Sequence, residues 1–204
     1  MLILTIVKGN EIMEGKQIYL LLTDTGTIFT RLIKAFTKAP YNPASIASHK
    51  ELREVYSFGK QQPRNPFRAG LVKEDTSSIL FRRAKCAVYS LTVTVEQFER
   101  IQDCIQKMYK QKEDYHYHLA GLFGVMLNKP IKKKNAFFCS QFVATVLKEC
   151  GIIEVENDLS LIKPSDLPFT VTFEVVYQGR LSNYTNGFDT EFVAKHRLAT
   201  TMEA

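Results

Sequence analysis

The 204-residue sequence lacks tryptophan, and its four cysteines show none of the C-x-x-C spacings that are typical of zinc and thioredoxin-type motifs. We therefore expect the cysteines to be free thiols. Long apolar runs are also missing, and without about 18 consecutive apolar residues no membrane-spanning segment is predicted. The first residues, "MLILTIVKGNEI", have neither the cationic start nor the cleavage pattern of a signal peptide. These absences predict a cytoplasmic protein.

Acidic residues are fewer than basic ones, with 21 Asp and Glu against 27 Lys and Arg, and the formal charge is +6. A nucleic-acid-binding chain usually concentrates such charge in a patch or an arm. Here the cations are scattered, and the densest run is only Lys132-Lys133-Lys134. The sequence therefore predicts a solvated basic surface and no nucleic-acid partner.

Low-complexity segments and internal repeats are absent, and 45% of the residues are hydrophobic. This composition is typical of an ordered globular chain with one sizeable core. No stretch of the sequence has the composition of a linker. We predict a single domain over residues 1–204 with an α+β fold.

Local patterns predict short strands separated by two helices and a long loop. A helix over "TDTGTIFTRLIKAFTKAPYN" is indicated by apolar residues at helical spacing, and a second helix follows a capping box at Thr94 and Gln97. The run "KQQPRNPFRAG" predicts a loop because it carries two prolines and little periodicity. Strand patterns cover residues 2–7 and 17–22, a hairpin from Ala44 to Phe58, "KCAVYSLTV" and "TVTFEVVYQGRL".

The segment "NAFFCSQFVATVLKECG" predicts a helix that begins near Cys139 and ends before Gly151. In the first turn, unpaired amides and the helix dipole favour a thiolate, the nucleophilic form of cysteine. The same amides can bind an oxyanion during acyl transfer. A buried packing role is the alternative for Cys139.

The block "FFCSQFVATVL", together with "TGTIFTRLIKAFTKAPYN" followed by "SIA", resembles the circularly permuted branch of the NlpC-type papain-like cysteine peptidases, the YiiX- and YycO-like proteins. The similarity runs from about Ile18 to Leu181. It implies a permuted papain-like fold, with an antiparallel sheet packed against helices and a Cys-His-polar triad. It also implies a thiol hydrolase that needs no metal or organic cofactor and acts on small peptide, amide or amino-acid-like ligands.

By this resemblance, Cys139 is the nucleophile, and Glu54 in "ELREVYSFG" matches the polar residue that orients the base. Family members resemble "PYNHVSIA", whereas this chain reads "PYNPASIA", so Pro43 occupies the histidine position. Proline cannot accept a proton, and loss of a general acid–base group lowers rates by roughly 10²–10⁴-fold. We expect an impaired peptidase or amidase.

Other histidines offer little replacement for the missing base. His49 follows Pro43 by six residues, about 20 Å along a strand, whereas His116 and His118 approach the cleft only if the fold brings them there. Two other functions stay open. One is lipid acyl transfer or phospholipid cleavage, and the other is ligand binding without catalysis.

Overall fold

The computed structural model describes residues 4–8, 11–27, 30–31, 34, 39–62, 65–117, 129, 135–156 and 158–187. It is a mixed α+β fold. The helices are α1 (Ile79–Arg83), α2 (Val95–Lys110), α3 (Cys139–Glu149) and α4 (181–187). The strands are β1 (Leu4–Lys8), β2 (Glu11–Asp24), β3 (Ala44–Ala47), β4 (Val55–Gln62), β5 (Asn65–Glu74), β6 (Lys85–Thr94), β7 (His116–Tyr117), β8 (Ala136–Phe137) and β9 (Glu174–Arg180).

Seven of the strands form one antiparallel sheet in the order β5-β4-β3-β2-β6-β9, with β1 paired to the first part of β2. The long strand β2 lies at the centre, where it pairs with β3 on one side and with β6 on the other. The short strands β7 and β8 form a separate parallel pair immediately before α3. The sheet is therefore continuous from β5 to β9.

Side chains alternate across the sheet and supply two apolar layers. On one face, Leu20, Ile46 and Phe58 pack with residues of α2 and α3. On the other face, Leu21 and Val88 pack with Phe81 of α1 and with α4. The helix that begins at Cys139 therefore lies against the first face, beside β3 and β4.

Several predicted elements are confirmed. The hairpin forms between β3 and β4, and the capping box of α2 is complete, with Gln97 N–H donating to the Thr94 hydroxyl at 3.1 Å and Thr94 N–H donating to the Gln97 side chain at 3.1 Å. Gly151 has a φ of 68° after the end of α3, as expected for a left-handed residue at a helix end.

Two predictions about the first 70 residues are wrong. Within the predicted loop over residues 60–70, the described residues 60–62 end β4 and residues 65–70 start β5, and the two strands pair from Gln62 and Asn65 onward. Pro66 is compatible with this arrangement because β5 is an edge strand, and edge strands are where sheets tolerate proline. Strand β2 begins at Glu11 rather than at 17, because pairing with β1 extends it.

The helix predicted between Asp24 and Pro40 lies largely outside the described residues, including Ile28, Leu32, Ala35 and Phe36. Of its described part, Thr30, Arg31 and Lys34 have helical backbone. The apolar segment "LAGLFGVMLN" also lies outside the described residues. Among the helices that are described, none combines the length and apolar character needed to cross a bilayer.

Phe142 is a strong test of the packing of α3 on the sheet. Its side chain is fully buried, and its ring lies 5.4 Å from that of Phe58. We expect Phe142→Ala to lower the free energy of unfolding by about 3–5 kcal/mol, as other large-to-small core substitutions do. Phe169→Ala is the control because that side chain is 88% exposed, and it should change stability by less than about 0.5 kcal/mol. Urea denaturation measures the free energy of unfolding of both variants. Equal losses of stability would contradict the packing of Phe142 in the core.

Candidate functional site

Cys139 is the first residue of α3, as the sequence predicts. The preceding residue, Phe138, has extended backbone and supplies no side-chain cap, so the first amides of the helix are left for other acceptors. The Ser140 hydroxyl donates to the Ile162 carbonyl at 2.7 Å and fixes the helix start to the following loop. The thiol of Cys139 is therefore held at the free amide end of a firmly packed helix.

The sulfur of Cys139 lies against the main chain just before β3. Its thiol donates to the Asn42 carbonyl at 3.7 Å, and the N–H groups of Ala44, Ser140 and Cys139 itself point at the sulfur. Asn42 and Ala44 are the two neighbours of Pro43 in the chain. The structure therefore brings Cys139 and position 43 together, although they are far apart in sequence.

Burial is the largest influence on the Cys139 thiol, which is only 3% exposed. Burial raises the pKa of Cys139, the three surrounding N–H groups lower it, and the charge of Glu74 raises it further. The net direction is upward. The amides at the helix start do favour the thiolate, as expected, but desolvation outweighs them and the thiol form is favoured overall.

Pro43 continues the pairing of β3 with β2 without its own N–H. Thr23 N–H donates to the Pro43 carbonyl at 3.0 Å, and such a pair normally returns a hydrogen bond from residue 43 to the carbonyl of Thr23. Here the N–H of Asn42 donates to that carbonyl at 2.9 Å instead. The neighbouring residue thus satisfies the backbone group that proline leaves without a partner.

A second polar group, which the sequence analysis missed, lies on the adjacent strands. The Ser57 hydroxyl of β4 donates to the carboxylate of Glu74, the last residue of β5. Burial raises the pKa of Glu74, and the hydrogen bond from Ser57 partly opposes that rise. A partly buried carboxyl group with a raised pKa, whose charge acts on a buried thiol, is a typical feature of functional sites.

The strand register relates this carboxyl group to position 43. Ser45 pairs with Ser57, and continuing that ladder places residue 43 level with Gly59. A Cβ at Gly59 would lie 3.2 Å from a Glu74 carboxyl oxygen and 3.4 Å from the Ser57 hydroxyl. The carboxyl group therefore occupies the space that the missing side chain of Gly59 leaves open, opposite position 43.

Glu54, the sequence-predicted orienting residue, lies elsewhere. It precedes β4, and its carboxylate binds Lys73 at 2.6 Å on the protein surface, a hydrogen bond that lowers the pKa of Glu54. Gly59 follows it by five residues, so Glu54 lies about 16 Å along the strand from the level of position 43. The alternation of Ser57 and Gly59 with the apolar Tyr56 and Phe58 in "VYSFG" was the signal for a polar or small face at this strand.

The described histidines do not complete the site. His49 is exposed in the β3–β4 connection. His116 is exposed, and its strand β7 pairs with Ala136 of β8, close in sequence to Cys139. No hydrogen bond joins either histidine to Cys139 within the described ranges, and His118 lies outside them.

Two buried polar atoms near the site have no hydrogen-bond partner among the described residues. They are the hydroxyl oxygen of Thr23, directly opposite Pro43, and the side-chain carbonyl oxygen of Gln141, in the first turn of α3. Such atoms are uncommon in folded proteins. The Thr23 hydroxyl belongs to the residue that pairs with Pro43, so at least this side of position 43 is polar and lacks a full set of hydrogen bonds among the described residues.

The part of the chain that is described contains no cluster of three or more histidine, cysteine, aspartate or glutamate side chains with metal-binding geometry. Comparisons with known proteins add no family: no family model, no curated protein and no solved structure matches the chain. The assignment of a function therefore depends on the geometry of the site and on the motifs in the sequence.

Glu74→Gln should make Cys139 easier to alkylate, because it removes the charge that raises the pKa of the thiol and keeps an oxygen for Ser57. We expect the iodoacetamide rate at Cys139, measured by mass spectrometry in mildly alkaline buffer, to rise roughly two- to fivefold. Glu54→Gln is the matched control and should leave the rate unchanged. A similar rise in both variants would contradict the proximity of Glu74 to the thiol.

The same carboxyl group should influence stability. A carboxyl group whose pKa is raised by folding binds a proton more tightly in the folded state than in the unfolded state. The folded protein therefore loses stability as pH rises from the unfolded-state pKa to the folded-state pKa. The raised pKa of Glu74 therefore predicts that Glu74→Gln becomes progressively more stabilising, relative to the parent, as pH rises above about 4.5. Denaturant titrations at several pH values measure this trend, and a difference that does not vary with pH would contradict it.

Proposed function

We propose that the chain is a cysteine hydrolase of the permuted papain-like type in which the catalytic base is absent at position 43. The observation that carries this proposal is the contact between the Cys139 sulfur and the main chain on both sides of Pro43. In a thiol hydrolase, the side chain that accepts the proton must lie within hydrogen-bond reach of the sulfur. Position 43 meets the condition of proximity, but its residue has no proton acceptor.

The proposed reaction is acyl transfer to the Cys139 sulfur, assisted by the N–H groups around it. The Cys139 sulfur attacks a carbonyl carbon of an amide or ester, and the leaving group departs with a proton to give an acyl-enzyme that water then hydrolyses. The N–H groups around the sulfur supply donors for the developing oxyanion. The missing function is transfer of the thiol proton to the leaving group, which a base at position 43 would provide.

The surroundings of position 43 favour an imidazole there. The Glu74 carboxyl group lies opposite, held by Ser57, and a carboxylate that accepts from one imidazole nitrogen fixes the orientation of the other. The Thr23 hydroxyl, which has no hydrogen-bond partner within the described ranges, belongs to the neighbouring residue on the β2 side. We therefore assign the orienting role to Glu74, in place of Glu54.

The substrates we propose are small peptide, amide or amino-acid-like ligands, as the resemblance implies. The buried thiol and its raised pKa support a resting state with little catalytic activity. Ligand binding without turnover on the same scaffold is the second candidate, because nothing at position 43 removes the proton.

Pro43→His should restore a base. The Pro43→His variant should fold, because the Thr23 carbonyl opposite position 43 already accepts from Asn42. The N–H that histidine adds would face the same carbonyl oxygen, which can accept a second hydrogen bond. We expect turnover of activated amide or thioester substrates to rise about 10²-fold or more, the usual contribution of a positioned acid–base group. Pro43→Gln is the control, because it removes proline without adding a proton acceptor of suitable pKa.

The proposed orienting role of Glu74 is tested in the Pro43→His variant. Glu74→Gln combined with Pro43→His should lose most of the gain, whereas Glu54→Gln combined with Pro43→His should keep it. Mass spectrometry should detect an acyl group on Cys139 only where the imidazole is present. If a folded Pro43→His protein acylates Cys139 no faster than Pro43→Gln, the hydrolase proposal fails and ligand binding becomes the preferred function.

A further inference from the structure

Two neighbouring clefts lie beside α1 and α4, among elements that pack on the sheet face away from α2 and α3. The first has a volume of about 320 Å³ and the second about 330 Å³. Arg82 lines both clefts and therefore joins them. Cys139, Pro43, Ser57 and Glu74 line neither cleft, so these clefts are separate from the site described above.

Arginine is the dominant charged residue of the clefts. Arg82, Arg83 and Arg180 line the second cleft, and Arg53 lines the first, where Glu51 is the acidic residue. The guanidinium group is a planar fork of donors that suits the oxygens of a phosphate group. The hydroxyl groups that line the clefts already donate within the protein, for example Thr76 to the Leu52 carbonyl and Ser77 to Asp75, so the arginines are the donors left for an anion.

The rim of the second cleft is apolar as well as basic. Ile79 lines the cleft and is 72% exposed, and the adjacent Leu80 is 48% exposed. Both belong to α1, whose inward residue is Phe81 and whose last turn carries Arg82 and Arg83. Exposed aliphatic side chains beside cations are typical of protein surfaces that lie at the interface of an anionic membrane.

We propose that this surface, formed by Ile79, Leu80, Arg82, Arg83 and Arg180, binds the headgroup region of an anionic phospholipid membrane. The arginines bind the lipid phosphates, and the two aliphatic side chains enter the boundary between headgroups and acyl chains. Lys85, which is exposed and pairs with Arg180 across β6 and β9, adds a cation to the same surface. The proposal does not depend on catalysis at Cys139.

The test is co-sedimentation of the full chain with vesicles of phosphatidylcholine alone and of phosphatidylcholine containing phosphatidic acid. We expect binding only to the anionic vesicles. Arg83→Ala combined with Arg180→Ala should weaken it roughly 25-fold, at about fivefold for each arginine near a membrane surface. Ile79→Ser should weaken vesicle binding while the charge stays unchanged.

Lys107→Ala combined with Lys110→Ala is the matched control, because it removes two exposed cations from α2 in the opposite layer. It should change vesicle binding less than twofold, and circular dichroism should show that all variants are folded. Glycerol phosphate in solution and a short RNA duplex serve as competing probes. Neither should displace the protein from anionic vesicles at concentrations comparable with the accessible lipid.

Four results would overturn the proposal. The first is absence of binding to the anionic vesicles, and the second is an equal loss in the lysine control, which would indicate diffuse attraction to the net charge. Full displacement by glycerol phosphate would show that the clefts take a free phosphate compound rather than a membrane. Arginine-dependent binding of the RNA duplex, without binding to vesicles, would identify a nucleic-acid surface instead.

Discussion

The amino end of α3 rests against the main chain of residues 42–44, and the arrangement of the site depends on this contact. It buries the Cys139 sulfur, directs three N–H groups at it and places it beside position 43. The same contact has an electrostatic cost, because burial disfavours the thiolate more than the N–H groups favour it. The proposed nucleophile would need a nearby proton acceptor to form the thiolate, and Pro43 provides none.

Polar groups surround the position where an acceptor is missing. Glu74 and Ser57 share a hydrogen bond beside Gly59, and the Thr23 hydroxyl has no partner among the described residues. A packed apolar role for this region would not require a carboxyl group there, since burying one raises its pKa and lowers stability at neutral pH. The region therefore has the chemistry of a site and not only that of a core, which is the reason for the proposal of a catalytic role.

The sequence predicts the elements whose signals are local, and it misses those that depend on pairing. The capping box at Thr94 and the apolar spacing after Cys139 are contained within single helices, so both helix starts could be predicted. Strand β5 could not, because Pro66 and weak periodicity conceal a strand that forms only when the β4–β5 hairpin closes. Glu74 was missed for the same reason: it meets Ser57, 17 residues away, only through that hairpin.

The most direct test of the account is the ionisation of Cys139, followed by the ultraviolet absorbance of its thiolate as pH is raised. The absorbance of the matching Cys139→Ala protein at each pH is subtracted, so that the difference reports Cys139 alone. The account predicts that Pro43→His moves thiolate formation to lower pH than in the parent, because an imidazolium ion beside the sulfur stabilises the charged form. Titration of Cys139 at the same pH in both proteins, or at a higher pH with the imidazole present, would contradict the claim that position 43 is the site of the missing base.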